Sequence, residues 1–269
     1  MLRSMAVNRV FQGIVGGSIL FCSHIVLAAP VPVETSALDR SLRADTNIGL
    51  GFTTSVAQRP FIGVDNQSTS LPYVVFGYKN FYIEGLNVGY KLLDKQDMSV
   101  EFLATPRFYE VKSTFADNGE LNGIGETRPT YLFGVSAQYR LKPATLTLQA
   151  LADIPESEGN EIIATASKAF KLGPAFTIVP AVGVTYQDAD LVDHFYGVQA
   201  NEVAANRNEY SGNGSTNYHL SLTTIWDAGK HIQLLGQVKY EALGSGITDS
   251  PIVDEDSIVT AVVGAVFLF

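Results

Sequence analysis

Two residues in one short stretch carry the spacing of a base and a nucleophile. In His219-Leu220-Ser221 the imidazole and hydroxyl lie two positions apart, so on an extended strand they share a face within mutual reach. The same stretch reads Asn217, His219, Ser221, Thr223, which is also the polar face of a strand lining a water-filled interior. No orienting acid can be placed beside the pair from the sequence, so the polar-face reading is preferred.

Other clusters yield even less chemistry. Asp193-His194 offers an acid and a base at the start of a long polar segment, with no second carboxylate pair, and reads as a solvated loop pair. Asp254-Glu255-Asp256 could gather calcium, but the turn glycine and alternating ligands of a dedicated loop are missing, and a solvated acidic tip is expected. The histidines His24, His194, His219 and His231 have no zinc-type spacing. The single cysteine, Cys22, lies in an apolar N-terminal run. No catalytic residue, metal or cofactor is assigned, and the sequence predicts a non-enzymatic protein.

That N-terminal run sets the compartment. Arg3 and Arg9 precede an uncharged stretch from Val10 to Leu27 that closes on Ala28 and Ala29, the pattern of a cleaved secretory signal. Cleavage is placed after Ala28, giving a signal over residues 1–28, a short periplasmic lead-in over 29–45 and one domain over 46–269. Losing Arg3 and Arg9 takes the 18 basic residues to 16 against 27 acidic ones, a net charge near −11, so a nucleic-acid partner is not expected.

The remainder is a succession of segments about ten residues long in which apolar and polar residues alternate, each bounded by turn chemistry. From Ala144 to Asp153, Ala144, Leu146, Leu148, Ala150 and Ala152 oppose Thr145, Thr147, Gln149, Leu151 and Asp153; from His231 to Glu241, Ile232, Leu234, Gly236, Val238 and Tyr240 oppose His231, Gln233, Leu235, Gln237, Lys239 and Glu241. Met98 to Tyr109 and Tyr131 to Arg140 behave alike, and further strands are predicted at 47–54, 73–78, 161–171, 176–187, 218–226 and 261–269. Splitting 81–90 at Glu84-Gly85-Leu86-Asn87 makes the count twelve, an even number that places both chain ends on one side.

Three features turn the alternation toward lipid. Aromatic residues fall near strand ends, at Tyr78, Phe81, Tyr82, Tyr90, Phe108, Tyr131, Tyr139, Phe170, Tyr186, Trp226 and Tyr240. Connections alternate between short ones, such as 140–143, 171–174 and 227–230, and long polar ones, such as 116–128 and 188–216. The last strand finishes on Phe267-Leu268-Phe269, and Phe267 and Phe269 are expected to act as the signal read by the barrel-assembly machinery. The predicted fold is all-β, a single antiparallel transmembrane β-barrel of about 12 strands in the outer membrane of a Gram-negative cell, with outer-membrane lipid as its surroundings.

Its interior should carry Glu101, Arg107, Arg140, Asp153, Lys239 and Glu241. These charges either line a narrow pore for polar solutes or form a salt-bridged plug, and the sequence leaves both open.

The residues also resemble the MipA/OmpV family of outer-membrane proteins. The matching stretches are Leu71-Pro72 leading into Phe81-Tyr82 and Gly89-Tyr90; Asp193-His194-Phe195-Tyr196-Gly197-Val198 followed by Tyr210; Leu243-Gly244 with Asp249-Ser250-Pro251-Ile252-Val253; and the closing aromatic strand. After Arg59-Pro60 the chain reads Phe61-Ile62-Gly63-Val64-Asp65, where the family is usually more acidic or glycine-rich. The resemblance implies a non-enzymatic scaffold linked to murein synthesis and turnover, with a murein lytic transglycosylase and a penicillin-binding protein as partners. Other members are linked to adhesion and to osmotic or antibiotic response. The loops holding Tyr196, Gly197 and Val198, and Ser250, Pro251, Ile252 and Val253, are the candidate interaction loops; simple packing of those loops against the rim is the competing reading. A small porin is the alternative function, and a barrel enzyme such as a lipid A deacylase, acting through Ser221, is the third.

Overall fold

The computed structural model describes residues 48–107, 111–116, 119–154 and 157–269. The predicted signal, the lead-in and Phe108 lie outside the described residues. Thirteen strands form one antiparallel sheet: β1 (Ile48–Ala57), β2 (Gln67–Tyr78), β3 (Phe81–Gly85), β4 (Asn87–Asp94), β5 (Met98–Arg107), β6 (Thr130–Arg140), β7 (Thr145–Asp153), β8 (Asn160–Ser167), β9 (Phe170–Lys171), β10 (Phe176–Gln187), β11 (Ser215–Asp227), β12 (Ile232–Ala242) and β13 (Ser257–Leu268). Each pairs with the next except at β9, where β8 pairs with β10 instead, and β13 pairs with β1 from Gly49↔Leu268 to Ala57↔Thr260, which closes the sheet. The two-residue β9 continues β8 along the same edge of β10, Ala181 facing Ser167 and Ile178 facing Phe170. The wall is therefore a closed 12-strand barrel plus this one extra piece.

Closure follows from what surrounds the sheet. An open sheet edge in hydrocarbon would leave N–H and C=O groups without partners, and a barrel has no edge. The two-residue period then sorts the side chains. Phe52, Leu148, Val182 and Leu220 point outward and are 54%, 54%, 57% and 60% exposed, while their neighbours Ser221, Gln237 and Thr223 point inward and are buried. Outward Tyr78, Tyr139, Phe170 and Trp226 mark one end of the apolar band, and Tyr131, Tyr186, Tyr218 and Tyr240 the other. Tyr82 departs from the predicted girdle. It follows outward Phe81, faces inward and lies over Gly89, where a Cβ would meet its ring at 2.2 Å.

Turn chemistry separates the two ends. Residues 79–80, 95–97, 141–144, 172–175 and 228–231 are short connections at the end where β1 begins and β13 finishes, the periplasmic pattern. The predicted division of 81–90 is present, with Glu84 paired to Asn87 across Gly85-Leu86 and Gly85 at φ +62°, as the first central position of a type II′ hairpin requires.

At the opposite end the long loops pack together. Residues 188–214 contain α1 (Ala189–Tyr196), and 243–256 contain α2 (Ser245–Thr248). Phe61, Val111, Leu121, Leu191, Phe195, Val198, Ile247 and Ile252 form a continuous buried core drawn from four loops. This cap sits over the mouth of the barrel. A second, smaller apolar cluster of Tyr73, Val75, Ile225, Leu235 and Val266 fills part of the lumen's periplasmic half.

Candidate functional site

The lumen between these two clusters holds a cavity with a layered wall. Alternation along β5, β6, β7 and β8 sends Leu103, Leu132, Leu151 and Ile163 inward. Nearer the loops the inward positions become Arg107, Glu161, Gln187 and Glu241. Arg107 forms an ion pair with Glu161, whose Oε2 also accepts a hydrogen bond from Gln187 Nε2 at 2.8 Å. Lys239 pairs with Glu241 at 2.7 Å, and Asn217 Nδ2 donates to Glu241 Oε1 at 3.4 Å. Charges this deep need such partners, because an uncompensated buried charge is strongly destabilising.

The six predicted lumen charges fall at four places. Arg107, Lys239 and Glu241 line the cavity, and Glu101 faces inward below it, in register with Lys91 and Ser136. Asp153 is fully buried at the loop end, accepting from Thr130 Oγ1 at 2.6 Å and from Ser157 Oγ at 2.9 Å, so it fastens the connection after β7. Arg140 is at the periplasmic mouth, donating to Lys95 O at 2.8 Å and to Ser99 Oγ at 3.3 Å. Glu161 was not among the predicted lumen charges. The alternation Glu161, Ile163, Thr165, Ser167 is the signal that carries it.

His219 and Ser221 occupy the lumen face of β11, 7% and 4% exposed. Pairing brings Glu241 beside His219 and Lys239 beside Ser221. The imidazole lies over Gly183 and meets Thr165 Oγ1 at 3.4 Å through Nε2, while its Nδ1 and the Ser221 hydroxyl have no hydrogen-bond partner among the described residues. Base and nucleophile are therefore not bonded to each other in this structure.

The cap is held by polar clasps as well as apolar packing. The Arg207 guanidinium donates to the carbonyls of Glu120 and Asn122, both at 2.9 Å, and of Glu202. Ser250 Oγ donates to Tyr196 O at 2.6 Å, and the Phe61 and Tyr196 rings stack at 5.5 Å. The candidate interaction loops thus send Tyr196, Val198, Ser250 and Ile252 into the cap, each at most 4% exposed. Gly197 closes α1, Pro251 is half-buried, and Val253 pairs with Phe61.

The pair expected in a solvated loop is instead part of α1. Asp193 Oδ1 accepts from Gly212 N at 2.7 Å and braces the return of the loop, while the His194 ring packs edge-on against Phe195. Asp188 caps the helix through the N–H of Leu191 at 3.0 Å. Burial opposes ionisation of Asp188, but the backbone and side-chain N–H groups of Asn160, both at 2.8 Å, and that of Leu191 outweigh it and hold the carboxyl below its usual value. In the acidic tip, the backbone of Asp254 joins the first loop through Pro60 O at 3.0 Å.

Charge is segregated between the ends. The periplasmic rim carries Lys79, Lys95, Arg140, Lys142, Lys168, Lys171 and Lys230 against Asp94, Asp97 and Asp227. Acidic residues dominate the loops, among them Glu120, Glu126, Asp190, Glu202, Asp249 and Asp254. Phe267 stacks on His231 at 5.6 Å, and Phe269 meets the Phe267 ring edge-on at 5.2 Å, at the same rim.

A closed sheet with an apolar exterior, aromatic girdles and a polar interior defines an outer-membrane β-barrel. The translocator domain of the autotransporter NalP from Neisseria meningitidis has a similar fold, with a TM-score of 0.50 and 10% identity over 99% of this chain and 98% of that one. A family model described as MltA-interacting protein MipA matches residues 49–269, and the chain belongs to that family. It is 23% identical to the putative outer membrane protein YiaT of Escherichia coli K12 over 83% of this chain and 92% of that protein. It is also 23% identical to the MltA-interacting protein of the same organism, over 86% of this chain and 92% of the relative.

Proposed function

We propose that this outer-membrane barrel is a non-enzymatic scaffold linked to murein synthesis and turnover, and that it holds its partners at the periplasmic rim. The observation that carries the reading is the basic rim, a set of lysines on short turns facing the compartment in which murein is built. Such a surface steers and orients acidic partners. The name of the MltA-interacting relative supports a lytic transglycosylase as one partner, and the family resemblance adds a penicillin-binding protein. Phe267 and Phe269 serve assembly at that rim. Because Tyr196, Val198, Ser250 and Ile252 support the cap, any contact made by those loops involves the exposed residues around them.

Cross-linking in intact cells followed by capture of the barrel tests this. A murein hydrolase or synthase should be recovered, and Lys142→Glu with Lys171→Glu should cut the yield at least fivefold while the barrel stays folded. Capture without any murein enzyme, or a yield indifferent to the rim charges, overturns it. The small-porin reading needs a continuous water path, and both the cap and the lower apolar cluster count against one; steady conductance of the intact protein in a planar bilayer would favour it instead.

A further inference from the structure

The wall is incomplete at one place. β3 ends at Gly85 and β4 begins at Asn87, whereas β2 extends in the sheet to Gln67 and β5 to Arg107. The last pairs of the short hairpin are Val74↔Gly85 and Val88↔Ala104. Beyond them β2 pairs with β1 and β5 with β6, and among the described residues no strand lies between the two. The backbone ladder is therefore interrupted above the hairpin tip, leaving a window between β2 and β5 that no strand pairing spans.

Its two sides each carry a proline, Pro72 in β2 and Pro106 in β5, both past the point where the hairpin stops. Proline cannot donate to a ladder and belongs where pairing ends. The remaining strand proline obeys the same rule, since Pro180 lies opposite the break between β8 and β9. The window is thus written into the backbone chemistry of the strands that frame it.

Behind it lies the lumen cavity. Pro106 belongs by alternation to the outward set with Phe102 and Ala104, yet it is recessed and lines the cavity together with Asn87 and Thr105. The cavity consequently reaches into the wall at this point. Pro106 is paired with Tyr131, which places the window at the level of the outer aromatic girdle. From there inward the lining includes the aliphatic Leu103, Leu132, Leu151 and Ile163, with Gln149 and Lys239 among them, and along their strands Arg107, Glu161 and Glu241 lie nearer the loops. A lipid of the outer leaflet has its chain and head in that same vertical order.

We propose that the window is a lateral portal through which the lumen takes up the alkyl chain of a single-chain amphiphile from the outer leaflet, its polar head towards the loops. Entry from the side needs no passage through the cap.

Photolabelling of the refolded protein in dimyristoylphosphatidylcholine nanodiscs with a diazirine-bearing palmitic acid tests the proposal. Adducts are expected on Leu103, Leu132 or Leu151 in addition to outward Phe102, Phe133 and Leu148. Leu151→Trp should lower the lumen adducts at least fivefold and leave the outward ones unchanged, with heat-modifiable gel mobility reporting an intact barrel. Should that variant fail to fold, Thr105→Trp beside the window should give the same loss. Adducts confined to outward positions, or lumen adducts insensitive to the folded blocking variant, overturn the portal. Equal labelling of the lumen by a short water-soluble diazirine also overturns it, because the cavity would then fill from the aqueous side.

Discussion

In the cap, Phe61, Leu191 and Ile252 are 1%, 0% and 1% exposed; in the wall, Phe133, Leu148 and Val182 are 46%, 54% and 57% exposed. The same side-chain types are turned to opposite surroundings. The cap keeps them from water by packing loop against loop, as a soluble protein does. The wall faces lipid, and its coherence comes from a closed ladder of backbone hydrogen bonds. Deleting an apolar side chain should therefore leave a void in the cap, but lipid can fill the space it vacates in the wall.

Phe61→Ala gives the largest expected effect. It removes a ring stacked on Tyr196 and should destabilise the cap by about 3–5 kcal/mol. Limited proteolysis should then cut the loops at least tenfold faster while the barrel keeps its unboiled gel mobility; loss of the barrel itself would show that cap and wall are one cooperative unit.

A charge in the wall comes next. Leu148→Arg places a guanidinium in the apolar band, at about 2–4 kcal/mol near the midplane, and should lower the folded fraction in a denaturant titration in lipid. An unchanged titration would mean that this face does not meet lipid. Phe133→Ala sharpens the contrast with Phe61→Ala. It forfeits transfer energy alone, roughly 1–2 kcal/mol, because lipid replaces the ring.

The smallest effect concerns the cap's one long helix. Asp188→Ala should cost about 1 kcal/mol by removing its N-cap, read as faster hydrogen exchange over α1. Because the Asp188 carboxyl is held below its usual value in the folded protein, its contribution is present above the unfolded value and is lost as pH falls through the folded one. Asp188→Asn keeps a capping oxygen and should flatten that acid dependence; an exchange profile equally acid-sensitive in the variant would assign it to another group.

Much of the wall was legible from local pattern. Alternation gives the outward and inward sets of β6, β7 and β12, and those of β5 up to Ala104, before Pro106 turns out recessed; the segment 176–187 coincides with β10 residue for residue. Strand ends drifted where alternation continues into residues that pair only with a distant neighbour. The alternation becomes readable in β2 only at Tyr73, six residues after the strand begins, since its outward positions Ser68, Ser70 and Pro72 carry no large apolar side chain to mark a membrane face. Tyr82 was misassigned because its side chain type suits a girdle, while its parity places it inside.

The loops were read for polarity alone, and that hid α1. Asp188 as a cap, followed by Leu191, Val192, Phe195 and Tyr196 at helical spacing, is a readable signal that a search for period two does not register. Arg207 has no comparable signal, because it joins the carbonyl of Glu202 in its own loop to those of Glu120 and Asn122, 87 and 85 residues away in the chain.

By itself, then, the order of side chains determined which face of each strand meets lipid and where short turns reverse the chain, since both depend on neighbours one to four residues apart. The tertiary structure decided the cap, the partners of the lumen charges and the window between Pro72 and Pro106. Those depend on where strands stop relative to one another across the sheet, a relation no local pattern contains.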